Sequence, residues 1–442
     1  MKKTCAFFLF FFIFLCSYSQ EKFVIGVFYE PEPRSLYDLY SNSGQIGTAS
    51  ITELNTFDNL KKAKINLLLG QTIYFWNYQF YRLLIDKILI PLEYTPSVLI
   101  CGKSFTHPSV DKKFNTDSLK NYLNYLEGYT KLGYTNIINL GDEPIPGDTW
   151  AFDNNQYIKK NYPNFKTFIN LLPIYYTGFN NNIATYKSYL DSYENSIPHF
   201  DKIAFDFYPY TYNKTSGKNN PNYDGNLYYI TLALMKSTFT SQGFLSFIGC
   251  NKVDGVRTPT NSELSKSIFC SLAYGTKGIL YFHKLPDASS NLYNQIQSLN
   301  TYITKLIGPI IVNSTCQTFH SNYDKTDTND PNLTILDHNS IIKRVNKNDI
   351  LFAIFTTNDK KKLGNDNKYL LIVNKSLTKQ TDISINLKGD FRNLIYLFPH
   401  YSNFDENIPF KLNNPIDTSY SLGLTEFTID YLEGGEGIMV KI

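Results

Sequence analysis

Short apolar runs alternate with longer amphipathic stretches along the first two thirds of the chain. The runs have the length and the branched side chains of buried strands, and consecutive runs begin about 30 to 42 residues apart. That spacing is typical of a β-strand followed by an α-helix. Eight such runs are present, at residues 23–28, 65–69, 97–101, 137–140, 167–171, 203–207, 245–249 and 278–282.

Helical periodicity fills most of the intervals between these runs. Apolar residues recur at helical spacing in residues 52–63, 117–132, 183–196, 227–241, 263–274 and 291–307. Eight strand–helix repeats predict an α/β fold in which residues 20–309 form a closed (β/α)₈ TIM barrel. A doubly wound open sheet is the alternative, but it rarely has eight such even repeats. The chain also has no G-x-G-x-x-G motif after its first strand.

The pattern changes near residue 310, where helical periodicity ends. Short alternating runs separated by turn-rich stretches follow, which is typical of an antiparallel β-sandwich. We therefore expect residues 310–442 to form a separate all-β domain. Its predicted strands are residues 341–345, 350–356, 369–373, 382–387, 394–398, 426–429 and 438–442.

The N-terminus has the composition of a secretory signal peptide. Lys2 and Lys3 precede an apolar run at residues 6–15 and small residues at 17–19. A charged start, a short apolar core and a small-residue cleavage site together predict export, with residues 1–19 removed. A lipoprotein anchored through Cys16 is the less favoured alternative. No other run reaches the roughly 20 apolar residues of a membrane span.

The net charge and the cysteine and histidine content of the chain limit the kinds of ligand and partner that we expect. The formal net charge is +3, and two of these positive charges belong to the predicted signal peptide, so no nucleic-acid partner is expected. Neither the cysteines nor the six histidines show metal-ligand spacing, so we expect no metal and no cofactor. The cysteines that follow the signal can be buried thiols or can form a disulfide, at residues 101, 250, 270 and 316.

The fourth run ends in the segment that carries the most chemistry. Gly141 permits a sharp turn, and the adjacent carboxylates Asp142 and Glu143 stand at the C-terminal end of the predicted strand. That end of a barrel strand is where catalytic side chains are found. An acidic helix start in an ordinary loop is the structural alternative. Trp150 follows and can stack on a sugar or pack in the core.

Other strand ends supply further candidates for the same barrel mouth. Tyr29 ends the first run, Asp206 and Tyr208 lie in or after the sixth, and His283 follows the eighth. A carboxylate in a strand that is buried on both faces is costly unless it is paired. Asp206 is therefore either functional or a satisfied structural carboxylate, paired for example with Lys284 or His283.

These motifs resemble those of secreted (β/α)₈ glycoside hydrolases in the large clan whose acid/base glutamate follows strand 4. That glutamate usually stands in Asn-Glu-Pro, and here the match is Asp142-Glu143-Pro144. The runs Phe-Asp-Phe-Tyr-Pro-Tyr at 205–210 and Leu-Ala-Tyr-Gly-Thr-Lys-Gly-Ile-Leu-Tyr-Phe at 272–282 also resemble strands of such proteins. So does a C-terminal all-β domain that ends in Gly-Gly-Glu-Gly-Ile-Met-Val. The resemblance implies hydrolysis of O-glycosidic bonds in a carbohydrate, with Glu143 as general acid/base.

One feature departs from that clan. Its nucleophile is a second glutamate at the end of strand 7, and residues 246–254 contain none. Asp206 is then the first choice for the second carboxylate, with Glu30 and Asp254 as alternatives. Because Asp206 is two strands away from Glu143, we expect a separation too large for direct attack, which favours a water-mediated, inverting reaction. The competing hypothesis is a sugar-binding barrel that has lost catalysis.

Overall fold

The computed structural model describes two thirds of the chain, including all eight predicted barrel strands. The predicted signal peptide, Glu30, Asp254 and, apart from residue 124, the predicted helix at 117–132 lie outside the described residues. The side chains of Tyr29 and Cys101 also lie outside them. The described residues are 22–29, 51–70, 84–101, 124, 137–210, 226–252, 257–321, 334, 336, 340–357, 368–391, 393–398 and 414–442.

Eight parallel strands close into a barrel in sequence order, which confirms the predicted fold. Strand β8 returns to β1, where Gly26 is level with Leu280. A Cβ on Gly26 would lie 2.5 Å from the Leu280 side chain and 2.9 Å from that of Leu69, so both side chains pack directly against the β1 backbone at this closure. The strands are β1 (Val24–Tyr29), β2 (Leu67–Gly70), β3 (Ser97–Cys101), β4 (Ile137–Asp142), β5 (Lys166–Leu171), β6 (Lys202–Phe205), β7 (Leu245–Gly249) and β8 (Gly278–Phe282).

Helices pack around the barrel. The sequence did not predict α2, because its buried face includes Asn154 and Asn155 and therefore lacks an apolar stripe. A π-helical turn at Ile85–Leu89 precedes β3, and another at Ile303–Ile307 follows α6. No described helix is long and apolar enough to cross a membrane. The α-helices are α1 (Ile51–Lys62), α2 (Trp150–Asn161), α3 (Ile183–Glu194), α4 (Asn226–Thr238), α5 (Asn261–Ala273), α6 (Asn291–Tyr302) and α7 (Gly308–Val312).

Two antiparallel sheets form the C-terminal sandwich. One has the strand order β10-β13-β17-β16 and the other β15-β14-β18-β12-β11-β9. The sequence did not predict β9, β15 or β16. β9 was missed because Ser-Thr-Cys-Gln-Thr-Phe-His contains no apolar run. The strands are β9 (Ser314–His320), β10 (Ile342–Val345), β11 (Ile350–Thr357), β12 (Lys368–Asn374), β13 (Gln380–Lys388), β14 (Ile395–Phe398), β15 (Asn414–Pro415), β16 (Thr418–Ser421), β17 (Leu424–Leu432) and β18 (Gly437–Lys441).

The sandwich packs against helix α5 of the barrel through β11, β12 and β18. At this junction the Tyr274 hydroxyl and His320 Nε2 form a buried hydrogen bond of 2.7 Å. Cys250, Cys270 and Cys316 are free thiols. The sandwich therefore supports the barrel from the outside of its helical layer.

Candidate active site

The end of β4 turns two consecutive carboxylates towards the barrel mouth. The Asn139 side-chain oxygen accepts the Gly141 N–H at 3.1 Å, and the pairing with β5 shifts register between Asn139 and Asp142. Glu143 then has a φ of +50°, a left-handed conformation that is uncommon outside glycine and clusters at functional sites. Both Asp142 and Glu143 are exposed. The β-bulge therefore presents two neighbouring carboxyl groups to a ligand.

Hydrogen bonds from the barrel fix the turn that carries Glu143. Its N–H donates to the Asn170 carbonyl oxygen at 2.9 Å. On the far side, the Tyr189 hydroxyl donates to the Pro144 carbonyl oxygen at 2.9 Å and accepts the Leu172 N–H at 3.2 Å. The backbone of Glu143 is thereby held to β5 and, through Tyr189, to α3.

Asp206 lies directly after β6 and faces inward. Ala204 and Tyr208 belong to the apolar cluster inside the barrel, whereas Phe205 and Phe207 pack outward against the helices. The two-residue alternation of extended chain therefore places Asp206 on the inner side. Its carboxyl group makes a side-chain hydrogen bond with Glu143.

The observed contact contradicts the separation that we expected between Glu143 and Asp206. In a (β/α)₈ barrel, inward side chains from alternate strands share one layer, so β4 and β6 can bring their side chains together. A distance counted in strands around the ring overlooks this convergence.

Asn170 lies on β5, between β4 and β6, and its side chain contacts the carboxylates of both neighbouring strand ends. Its side chain is almost fully buried, and Nδ2 donates to Asp142 Oδ1 at 2.9 Å. The same side chain hydrogen-bonds to Asp206. The sequence carried a signal for this residue, since Asn170 is a polar residue inside the apolar run 167–171, as Asp206 is in its own run.

Burial raises the pKa of both hydrogen-bonded carboxyls. Burial is the largest cause for Glu143, and the negative charge of Asp142 adds to it. The pKa of Asp206 lies well above its ordinary value, because of burial and then the charges of Glu143 and Asp142. The cluster therefore retains a proton at a pH at which isolated carboxyls are ionised. The Glu143 side chain keeps exposed surface although the surrounding barrel mouth desolvates its carboxyl group, so it can deliver that proton to a ligand.

Several buried polar atoms of the site have no hydrogen-bond partner among the described residues. They are Oδ1 of Asp206, Oδ1 of Asn170 and the hydroxyl of Tyr208. Most buried polar groups in native proteins are paired with protein atoms, water or ligand. Three such atoms beside one carboxylate cluster indicate a place where polar groups of a ligand or water bind.

Aromatic rings line the barrel interior next to the carboxylates. The Tyr208 ring stacks on Phe282 of β8, with centroids 5.2 Å apart and an interplanar angle of 28°. The half-buried His283 lies beside this group, with its ring centroid 6.1 Å from that of Phe28. Tyr208 and His283 thus reach the mouth that the sequence predicted for them. Tyr29 ends β1 at the same edge.

Trp150 packs at the first turn of α2. A Cβ on Gly141 would lie 2.5 Å from the edge of the indole, so the ring rests directly against the β4 backbone. The indole contacts the core between barrel and helices, and its N–H is buried. This contact favours the packing role over the sugar-stacking role that the sequence left open.

The described residues at the end of β7 include no carboxylate. This strand ends at Gly249, and Cys250, Asn251 and Lys252 follow. Within the described part of the chain, no cluster of His, Cys, Asp and Glu side chains has the arrangement of a metal site. The described acid groups of the site are therefore Asp142, Glu143 and Asp206, all on the β4–β6 side.

Comparison with known proteins supports the fold. No protein-family model and no curated protein sequence matches the chain. Among solved structures, an α-amylase from Anoxybacillus is similar over 96% of this chain and 98% of its own, with a TM-score of 0.50 and 10% identity.

Two further similar structures have lower TM-scores. The cyclic α-maltosyl-(1→6)-maltose hydrolase from Arthrobacter globiformis has a TM-score of 0.42 at 9% identity, over 86% of this chain and 88% of its own. A chitinase catalytic domain from Pyrococcus furiosus has 0.39 at 9% identity, over 64% of this chain and 96% of its own. The similarity to the Anoxybacillus structure over nearly the whole of both chains supports the fold, a (β/α)₈ barrel followed by an antiparallel β-sandwich.

Proposed function

We propose that the protein is an exported glycoside hydrolase that cleaves O-glycosidic bonds in an oligosaccharide or polysaccharide, with Glu143 as general acid/base. The cluster of Asp142, Glu143 and Asp206 at the carboxyl ends of β4 and β6, which Asn170 holds from β5, is the observation that carries this proposal. It supports an acid with a raised pKa at the carboxyl ends of the barrel strands, where general acid catalysis needs one.

The neighbouring residues have complementary roles in this proposal. Asp142 supplies a fixed negative charge beside Glu143, and Asn170 orients that charge through its amide. Positive charge develops on the sugar in the oxocarbenium-like transition state, so a carboxylate at this point stabilises it. Tyr208 offers its hydroxyl to the sugar, and His283 borders the same cleft.

A sugar-binding barrel without catalysis is the second candidate. The observation in its favour is that the described end of β7 carries no carboxylate, although many glycosidases need two. The two candidates differ in product formation. A binding protein should show heat of binding with an oligosaccharide in calorimetry and release no reducing ends.

The proposal is tested by incubating the protein without residues 1–19 with a panel of polysaccharides and aryl glycosides. Glycosidase function predicts release of reducing ends or aryl alcohol by wild-type protein, and a loss of about 10²–10⁴-fold in E143Q. E93Q is the matched control, because Glu93 is exposed on the loop before β3, at the opposite end of the barrel. Equal turnover by E143Q and wild type would contradict the assigned role.

Export is part of the same proposal and has its own test. The signal-like composition of residues 1–19 is its support. Fractionation of the native host with N-terminal sequencing should find mature protein outside the cytoplasm that begins near Gln20. A lipid-modified Cys16 would mean that the exported protein is anchored to a membrane, and export itself would still hold. An intact N-terminus on protein found outside the cytoplasm would contradict cleavage of residues 1–19.

A further inference from the structure

The junction between the barrel and the sandwich contains a buried, hydrogen-bonded series of titratable groups. His320 ends β9 of the sandwich and is almost fully buried. Its Nε2 lies 2.7 Å from the Tyr274 hydroxyl of the barrel, and its Nδ1 lies 3.2 Å from Nζ of Lys375, which follows β12. The ring of Tyr229, on α4, has its centroid 5.2 Å from that of His320 and 5.4 Å from the Lys375 Nζ. Two basic side chains of the sandwich are thus packed against aromatic residues of the barrel.

These two hydrogen bonds determine where the imidazole carries its proton. An ammonium group has three donors and no acceptor, so Lys375 donates to Nδ1 of His320. A neutral imidazole whose Nδ1 accepts carries its proton on Nε2, which therefore donates to the Tyr274 hydroxyl. Both ring nitrogens are satisfied in this neutral form. Burial, and then the charge of Lys375, hold the pKa of His320 well below its ordinary value.

A second proton on the ring is incompatible with this arrangement. That proton would occupy Nδ1, so the hydrogen bond from Lys375 would be lost, and two positive charges would face each other across 3.2 Å. Neither hydrogen-bond partner of the His320 ring is a carboxylate that could offset the added charge. Burying a charge without a partner is costly, and contact with water relieves that cost.

The groups around this pair do not compensate for the second proton. Asp349 favours the charged form of Lys375, but it is exposed, and Lys266 opposes it from α5. Burial raises the pKa of Cys270 to about 11 and the pKa of Tyr229 well above its ordinary value, so both are neutral in acid. The titratable groups packed around the pair are Tyr229 and Lys236 of α4, Lys266 and Cys270 of α5, Tyr274 directly after α5, and Asp349 directly before β11.

We propose that a second proton on His320 opens the junction between the sandwich and the barrel, so that the fold contains an acid-sensitive contact between its two domains. The ring gains contact with water when the sandwich moves away from α4 and α5. Because the pKa of His320 is lower in the closed state, its contribution to the stability of the junction is complete above the unfolded value of about 6.5. That contribution is lost as the pH falls from there towards the lowered pKa, and the opening equilibrium constant rises about tenfold per pH unit.

The test uses Cys270 as a reporter, because its thiol is fully buried on α5 at this junction. Cys250, which is equally buried but follows β7 and donates to the Lys284 carbonyl oxygen, is the internal control. Wild-type protein is treated with 4,4′-dithiodipyridine, which also modifies thiols in acid, at a concentration low enough for closing to outpace the reaction. Peptide mass spectrometry gives the rate at each cysteine, and division by the rate in urea-unfolded protein at the same pH gives its protection. We expect the protection of Cys270 to fall about tenfold per pH unit below about pH 6.5, and that of Cys250 not to follow it.

Three variants separate His320 from other causes. H320Q replaces the titrating ring by a neutral amide, so the protection of Cys270 should not depend on pH in this range. K375M removes the facing ammonium and decides the question if H320Q does not fold. Its loss of protection should be smaller in total and should end at a higher pH, because burial alone then lowers the pKa of His320. H199Q, at an exposed histidine before β6, should match wild type.

Four results would overturn this inference. The protection of Cys270 could stay constant in wild type, fall as steeply in H320Q as in wild type, or follow the wild-type profile in K375M. Equal loss of protection at Cys250 and Cys270 would show that acid unfolds the whole protein rather than opening the junction. Each result is independent of the proposed glycosidase function, because the measurement requires no turnover.

Discussion

The carboxyl groups of Glu143 and Asp206 hydrogen-bond to each other although their strands are two positions apart in the barrel. Asn170, on the strand between them, bonds Asp142 and Asp206 and accepts the Glu143 N–H on its backbone oxygen. One strand end from each of β4, β5 and β6 thus contributes to a single cluster of carboxyl groups whose pKa values are raised. The following predictions concern the energetic and catalytic consequences of that cluster.

Asp206→Asn should make the free energy of unfolding less dependent on pH. Burial and the charges of Glu143 and Asp142 raise the pKa of Asp206 in the folded state. A carboxyl with a higher pKa in the folded than in the unfolded state stabilises the fold at acidic pH. That stability is lost as pH rises from the unfolded value, about 3.9, towards the folded one. Urea unfolding across this range should show the loss in wild type and a smaller loss in D206N.

The exposed Asp430 of β17 provides the control for that experiment. D430N should keep the pH dependence of wild type, because Asp430 is exposed on the sandwich and lies outside the carboxyl cluster of the barrel. A pH dependence in D206N as steep as that of wild type would show that Asp206 does not bind its proton more strongly in the folded protein.

Asp142→Asn should move the alkaline limb of the kcat/KM profile to lower pH. That limb reports the pKa of the essential acid in the free enzyme. Removing the Asp142 charge removes one of the two causes that raise the pKa of Glu143, and burial, the larger one, remains. E93Q, whose charge is at the opposite end of the barrel, should leave the limb in place. A limb unmoved in D142N, or moved to higher pH, would contradict the assigned coupling.

Asn170→Ala should reduce both stability and turnover. The substitution removes the buried amide that donates to Asp142 and hydrogen-bonds to Asp206, and the loss of such a hydrogen bond costs about 1–3 kcal/mol. Asn155 is the matched control, since it is equally buried and donates to the Pro198 carbonyl oxygen outside the site. N155A should lose comparable stability and keep kcat. Equal kcat in the two variants would show that Asn170 has a structural role alone.

Gly141→Ala should destabilise the fold through Trp150. The added methyl would meet the indole at 2.5 Å, and overpacking of this kind costs about 1–3 kcal/mol. The double variant G141A/W150L should recover part of that loss, because the shorter side chain leaves space for the methyl. Chemical denaturation of the four proteins completes the cycle. A strictly additive double variant would contradict the packing role of Trp150.

The sequence predicted the strand order well because apolar runs at βα spacing leave few alternatives to a closed barrel. The sequence did not predict α2, because the buried face of this helix includes the polar residues Asn154 and Asn155. It did not predict β9 either, because this strand has no apolar run. In these elements tertiary packing, rather than local pattern, decides the structure.

The sequence predicted which strand ends carry the site residues, but it did not predict which of these residues contact one another. Asp142, Glu143 and Asp206 could be placed at one edge of the barrel from their positions after apolar runs. Their mutual contact depends on the inward convergence of alternate strands and on the bulge at Gly141, which no periodicity reveals. Asn170 acquires its role through the same geometry.

The leaving-group dependence of Glu143→Gln tests the central claim most directly. An aryl glycoside with a dinitrophenol leaving group needs no proton from the enzyme, whereas an unactivated disaccharide does. E143Q should therefore lose about 10²–10⁴-fold in kcat/KM on the disaccharide and much less on the activated glycoside. Equal losses on both substrates, or no loss on the disaccharide, would contradict the assignment of Glu143 as the general acid.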